Sequence, residues 1–299
     1  MKDLIYAIVK STGLSEPKIV PYLEPFMVQG SLTPVSTSIF DTEGNRKVVS
    51  LIPRLTANAR LLPTATVDAV IAFIRNCKKV SSWSFELSRE VEEVLKSIIS
   101  FEFANSTKSD RWLENRKLFQ RNGESRKFDD AMKPVYARLQ QRYGNSEGCT
   151  SAEAICYGMS FTDLSKVFFL MGDSLLPTKR KVSEFFGIPK PDIFTRGLRA
   201  ISENLRNLDA HLLPSYRNSI DSSFSEKNMI YPWISTKCNL GKYYGKLCFL
   251  VYITTNFSDN YCQFARKEIK ALMLQMPKAT VNYLGMPPNW SNEPLWSNI

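Results

Sequence analysis

The chain has 299 residues, 43% of them hydrophobic, and a formal net charge of +10, which supports one large or two modest cored domains and favours a polyanionic partner, nucleic acid before a membrane surface. Six scattered cysteines form no C-x-x-C pair and a single histidine is present to join them, which argues against a zinc site and for reduced, mostly buried thiols in a cytosolic protein. The N-terminus has too short an apolar run for a signal peptide, and no segment reaches the ~18 apolar residues of a membrane span.

In chain order, residues 2–11 suit a helix, whereas 14–63 mix Pro, Gly, Ser and Thr with β-branched runs such as Lys47 to Ile52, the pattern of an irregular arm or a small hairpin. Helical periodicity begins at residue 65, with Thr66 as a cap and Val67, Val70, Ile71, Phe73 and Ile74 on one face. A second amphipathic helix is expected from Phe85 to Ala104, and further helices at 110–121, 128–143, 151–157, 161–171 and 178–186. Gly187-Ile188-Pro189-Lys190-Pro191 breaks the chain; Asp192 is placed to cap a helix running to Leu213, where Pro214 ends it. Two more helices are expected at 243–256 and 260–275, the first carrying the apolar run Leu247 to Ile253 as a buried helix. The expected fold is mostly α, with residues 1–64 as an arm or accessory element and 65–299 as the main helical domain.

The segment Lys108 to Arg142 holds ten Lys or Arg against five Asp or Glu, so half of the excess charge sits there, interleaved with Trp112, Phe119, Phe128 and Tyr136, and followed by Tyr143. Such a stretch can track phosphates while aromatics stack on bases; the alternative is a pair of solvated helices whose aromatics face the core. Candidate RNA contacts are Arg116, Lys117, Arg121, Arg126, Lys127 and Arg138, with Arg199 and Arg217 near the segment described next.

That segment is Ile201 to Asn218, ISENLRNLDAHLLPSYRN. On a helix at about 100° per residue, Ile201, Leu205, Leu208 and Leu212 form an inward face, and Asn204, Asn207 and His211 a neighbouring polar stripe with Arg206 beside it. His211 is the only histidine, so two-histidine catalysis within one chain is excluded; His211 works as a proton-transfer group, meets a second His211 from another subunit, or is structural. An adjacent guanidinium and amide are what a phosphoryl site needs.

R-N-L-D-A-H (206–211) resembles the R-x4-6-H motif of HEPN ribonucleases, and more specifically the abortive-infection family of the AbiD/AbiF type. Tyr157-Gly158-Met159-Ser160-Phe161-Thr162-Asp163-Leu164-Ser165 is similar to that family's turn and helix before the motif. Phe185-Gly187-Ile188-Pro189 leads into the motif helix, and Leu284-Gly285-Met286-Pro287-Pro288-Asn289-Trp290 with Leu295-Trp296 resembles its tail. The likeness covers roughly residues 65–299. The chain departs from the pattern after the histidine, where Leu212 and Leu213 follow directly and Ser215-Tyr216-Arg217-Asn218 stands in for a polar turn, and at Glu102, which has no Arg one turn later.

The resemblance implies a HEPN-type helical bundle with additional helices and an irregular N-terminal arm, and metal-independent, cofactor-free endoribonuclease chemistry with Arg206, Asn207 and His211 as catalytic residues. It also implies a homodimer, a toxin-like role in bacterial phage defence in the cytoplasm, and restraint by an antitoxin or a small non-coding RNA, with no membrane partner. A HEPN-fold RNA-binding module that has lost cleavage is the main rival. A DNA-binding regulator is the third reading, and no helix-turn-helix spacing supports it.

Overall fold

The computed structural model describes residues 2–30, 32–40, 46–56, 58–63, 65–119, 125–144, 151–206, 242–257 and 260–297. The described residues are mostly α-helical. Helices α1 (Lys2–Thr12) and α2 (Glu16–Leu23) open the chain, and an antiparallel hairpin of β1 (Leu32–Phe40) and β2 (Arg46–Leu55) follows. The β-branched run Lys47 to Ile52 lies in β2, so the hairpin is the form the N-terminal segment takes; α2 was not legible because Pro17 and Pro21 disguise it. Pro17 stands in the first turn, where a missing N–H costs nothing.

Helix α3 (Val67–Thr107) is a single 41-residue helix, where periodicity had suggested two. The stretch between the two expected helices, Arg75 to Ser84, contains neither Gly nor Pro, and Ser82, Ser84 and Ser88 return their hydroxyls to carbonyls three or four residues back rather than competing with the helix. Thr66 caps it as expected, its hydroxyl accepting from the Ala69 N–H at 3.1 Å. Val70, Phe73, Ile74, Val80, Leu87, Val91, Leu95, Ile99 and Phe103 are all buried, so α3 is the axis around which other elements pack. Tyr22 and Phe26 pack edge-on against Phe73 at 6.1 and 5.7 Å, which brings the N-terminal helices into the same core.

The expected helix at 110–121 is instead two 3-10 turns, Trp112–Glu114 and Arg116–Phe119, which carry a stacked column: Phe103 on Trp112 (5.1 Å), Trp112 on Phe119 (6.2 Å) and Phe119 on Phe128 (3.9 Å). Burying Trp112, Leu113 and Phe119 from so short a segment favours tight turns over a regular helix that would turn some of them to water. Then come α4 (Ser125–Tyr143), α5 (Ala152–Gly158), α6 (Phe161–Leu170), α7 (Leu176–Phe185) and α8 (Pro191–Ala200). Helices α9 (Tyr243–Thr255), α10 (Asn260–Leu274), α11 (Lys278–Leu284) and α12 (Pro294–Ser297) complete the order. Helix α9 buries its apolar run Leu247–Val251 with Ile253, as expected. The tail seals it: Trp290 and Trp296 meet edge-on at 5.9 Å, and the Trp296 indole N–H donates to the Tyr244 hydroxyl at 3.1 Å. No helix among the described residues is long and apolar enough to cross a membrane.

Candidate functional site

Helix α8 leads toward the motif, and two glycines set its position. Gly187, at φ +74°, turns the chain out of α7. Gly197 lies against α9 so closely that a Cβ there would come within 2.0 Å of the Phe249 ring. The cap differs from expectation: Lys190 is the N-cap, Pro191 takes the first helical position, and Asp192 stands in the first turn, where its charge suits the helix dipole without capping.

The larger difference lies beyond Ala200. Ile201–Arg206, expected to continue the α-helix, is a π-helical turn, and the remainder of the expected helix, 207–213, lies outside the described residues. Ile201 and Leu205 remain buried, in keeping with the expected inward face. The i→i+5 pattern changes the angular step, however, so the stripe drawn at a uniform 100° per residue does not carry through this turn. Ser202 anchors it: its buried hydroxyl lies 2.9 Å from the Ser165 hydroxyl, and the Thr162 hydroxyl donates to the Ser202 carbonyl at 3.3 Å. A side-chain donor thus serves a carbonyl in the turn where the α-pattern is lost. Thr162 and Ser165 belong to α6, whose start is a capping box between Ser160 and Asp163.

Arg206 is the last described residue of the π turn, and its side chain lies outside the described residues, as do Asn204's side chain, Asn207, His211, Leu208 and Leu212. Glu102 on α3 meets Lys181 of α7 at 3.8 Å.

The candidate RNA contacts divide sharply. Arg116 is exposed and pairs with Asp129 at 2.5 Å. Arg138 of α4 binds the Asp163 carboxylate, joining α4 to the capping box of α6. Arg199 pairs with Glu203 at 3.5 Å and lies over the Phe169 ring at 5.1 Å. Arg138 and Arg199 therefore both lean on α6, at its first and last turns, and part of each charge is already answered within the protein. Lys117 and Lys127 are exposed. Arg121, Arg217 and the Arg126 side chain lie outside the described residues. Of the interleaved aromatics, Trp112, Phe119 and Phe128 are in the core, the second of the two readings of this stretch, so they do not stack on bases; Tyr136 is 43% exposed, and the Tyr143 side chain lies outside the described residues.

Sequence reasoning missed the cleft beside Tyr136. It has a volume of about 710 Å³, an apolar floor of Leu113, Phe128 and Met132, and a rim carrying Glu114, Arg116, Asp129 and Lys133. Burial raises the Tyr136 hydroxyl pKa, Glu114 and Asp129 raise it further, and Arg116 opposes them, so the phenol is a proton donor at neutral pH. The i,i+4 spacing of Asp129, Lys133 and Ala137 on α4 was the available signal; the contribution of the 3-10 turns was not local and left none.

The four described free cysteines, Cys77, Cys156, Cys248 and Cys262, are buried. Burial pushes the Cys156 thiol up to about 12. Compared with known protein families, curated proteins and solved structures, the chain matches none of them.

Proposed function

We propose that this protein is a metal-independent endoribonuclease of the HEPN type. The observation that carries the reading is the sequence R-N-L-D-A-H at 206–211, continuous with a hydrogen-bonded π turn, Ile201–Arg206, in which Ile201, Ser202 and Leu205 are buried. A π turn in a helix is frequently a functional position, and a rigid support is what precise placement of a guanidinium requires. In the proposed reaction a ribose 2′-oxygen attacks the adjacent phosphorus while its proton passes to His211 acting as general base. The bond from phosphorus to the 5′-oxygen breaks, and that oxygen takes a proton from an acid. Arg206 stabilises the charge on the non-bridging oxygens and Asn207 orients the phosphate. The products are a 2′,3′-cyclic phosphate and a 5′-hydroxyl. With one histidine per chain, a homodimer supplies base and acid from its two copies. The role that fits is a toxin-like phage-defence effector in the cytoplasm, restrained by an antitoxin or a small RNA.

Leu212 and Leu213, directly after His211, favour a second reading, an RNA-binding module of the same fold without cleavage. Incubation of the protein and of His211→Ala with labelled RNA and DNA in EDTA separates the two. The nuclease reading expects cleavage of RNA alone, reduced about 10²–10⁴-fold in the variant. Tight RNA binding with no cleavage by either protein supports the module and ends the nuclease reading.

A further inference from the structure

We propose that the cleft between α4 and the 3-10 turns at 112–119 is a subsite for one unpaired nucleotide of an RNA strand, stacked on Tyr136. The proposal rests on the RNA-binding part of the function above, but not on cleavage.

Three features converge on a nucleotide. The first is a rigid apolar wall with one accessible ring. The column from Phe103 through Trp112 and Phe119 to Phe128 is closed to solvent, and Met132, one turn beyond Phe128, is buried too. Tyr136, one turn further along α4, is the member of this face that opens to water. A tyrosine held on a helix next to a packed floor is a stacking platform that loses little freedom when a base lies on it.

The second feature is the alternation of charge on the rim. Arg116 and Lys133 are cationic, and Glu114 and Asp129 are anionic. A track for bare phosphates would present cations alone, and a purely acidic or purely basic peptide would meet like charge in the same cleft. A nucleotide carries both complements: a phosphodiester for Lys133 and Arg116, and base N–H donors for the carboxylates. The Arg116–Asp129 pair is exposed on both sides, so it can rearrange to share its guanidinium with a phosphate at little cost.

The third feature is size. A volume of about 710 Å³ lies within the range of roughly 300–1,000 Å³ that small-ligand sites occupy. The groove of an RNA duplex does not offer a base face to such a site, because its bases are stacked on one another.

The test uses the full chain carrying His211→Ala, in EDTA, so that binding is read without cleavage. Fluorescence anisotropy with a short single-stranded RNA is compared across Tyr136→Ala, Tyr136→Phe and Lys133→Gln, with a duplex of the same length alongside. Tyr136→Ala is expected to weaken single-strand binding about ten-fold and Tyr136→Phe by less than about two-fold, since the ring stacks in both tyrosine and phenylalanine. Lys133→Gln is expected to weaken binding and to lower the slope of log K against log salt by about 0.7. Duplex affinity should not respond to Tyr136→Ala. Unchanged single-strand affinity in Tyr136→Ala overturns the subsite, as does an equal loss for duplex and single strand. Displacement of the strand by micromolar adenosine monophosphate would assign the cleft to a free mononucleotide and overturn the strand reading. If wild-type protein fails to cleave RNA while Tyr136-dependent binding persists, only the nuclease reading falls; if it cleaves and Tyr136→Ala binds normally, only the subsite falls.

Discussion

Arg138 and Lys117 are equal contributors to a net charge, yet they are unequal as phosphate ligands. Arg138 is engaged with Asp163, which in turn holds the capping box of α6, whereas the Lys117 side chain is exposed. Binding RNA through Arg138 would loosen a contact between two helices; binding through Lys117 disturbs nothing comparable. Arg138→Gln is therefore expected to lower thermal stability with little change in RNA affinity, and Lys117→Gln to do the reverse, as read by melting curves and anisotropy on the same preparations. Cys156 supports a second prediction at this scale. Its thiol is buried and raised to about 12 from an ordinary 9.0, so the folded protein holds that proton at pH values where the unfolded chain has lost it. Stability from this group is complete below about pH 9 and is lost as pH rises toward 12, because the native state binds more protons in that window. Urea midpoints should fall between pH 8 and pH 10.5 more steeply for wild type than for Cys156→Ala, and alkylating reagents should spare Cys156 at neutral pH until the chain unfolds.

Helices α8 and α9 show how one element places another. Gly197 on α8 meets the Phe249 ring on α9, with no room for a methyl group. In an isolated helix, Gly to Ala is stabilising by roughly 1 kcal/mol. Here Gly197→Ala is expected to destabilise by about 1–3 kcal/mol, measured by denaturant unfolding, because either the ring or the helix must shift. On the ribonuclease reading it should also reduce cleavage more than stability alone explains, since the π turn ending at Arg206 continues directly from α8. The same scale explains why the winding at 201–206 departs from the uniform helical wheel. Periodicity placed Ile201 and Leu205 inward, and both are buried. It had no means to detect the π turn, whose Ser202 is held from α6, a partner some 40 positions away in the chain.

Across the whole molecule, α1, α2 and the turn that follows α2 are bound into the core. Tyr22 and Phe26 cover Phe73, Arg75 of α3 donates to the Ser11 hydroxyl at 3.1 Å, and the Tyr283 hydroxyl of α11 donates to Glu24. A chain beginning at residue 64 would expose Phe73, a cost of about 1.5–3 kcal/mol for that side chain alone. Such a chain is expected to melt several degrees lower and to bind an apolar dye such as ANS, and full stability without residues 1–63 would refute this account. Net charge is the other property at this scale. The sum of +10 already counts the carboxylates that Arg116, Arg138 and Arg199 face, so pairing leaves the long-range field unchanged and weakens only the local attraction of these three arginines for a phosphate.

What the amino-acid order determined unaided was local: α3, α6, α7 and α10 follow from helical patterning and α9 from its continuous apolar run, with Thr66 as a cap and buried thiols at Cys77, Cys156, Cys248 and Cys262. The candidate motif Arg206–His211 is likewise a property of adjacent residues. What only the tertiary structure decided was pairing: which arginines meet carboxylates, which of the interleaved aromatics reaches water, and where the helix leading to Arg206 changes its winding. The physical reason is range. Helical periodicity and capping are set within one or two turns of chain, whereas ion pairing, ring stacking and the support of a π turn depend on segments distant in sequence that packing alone brings within a few ångströms.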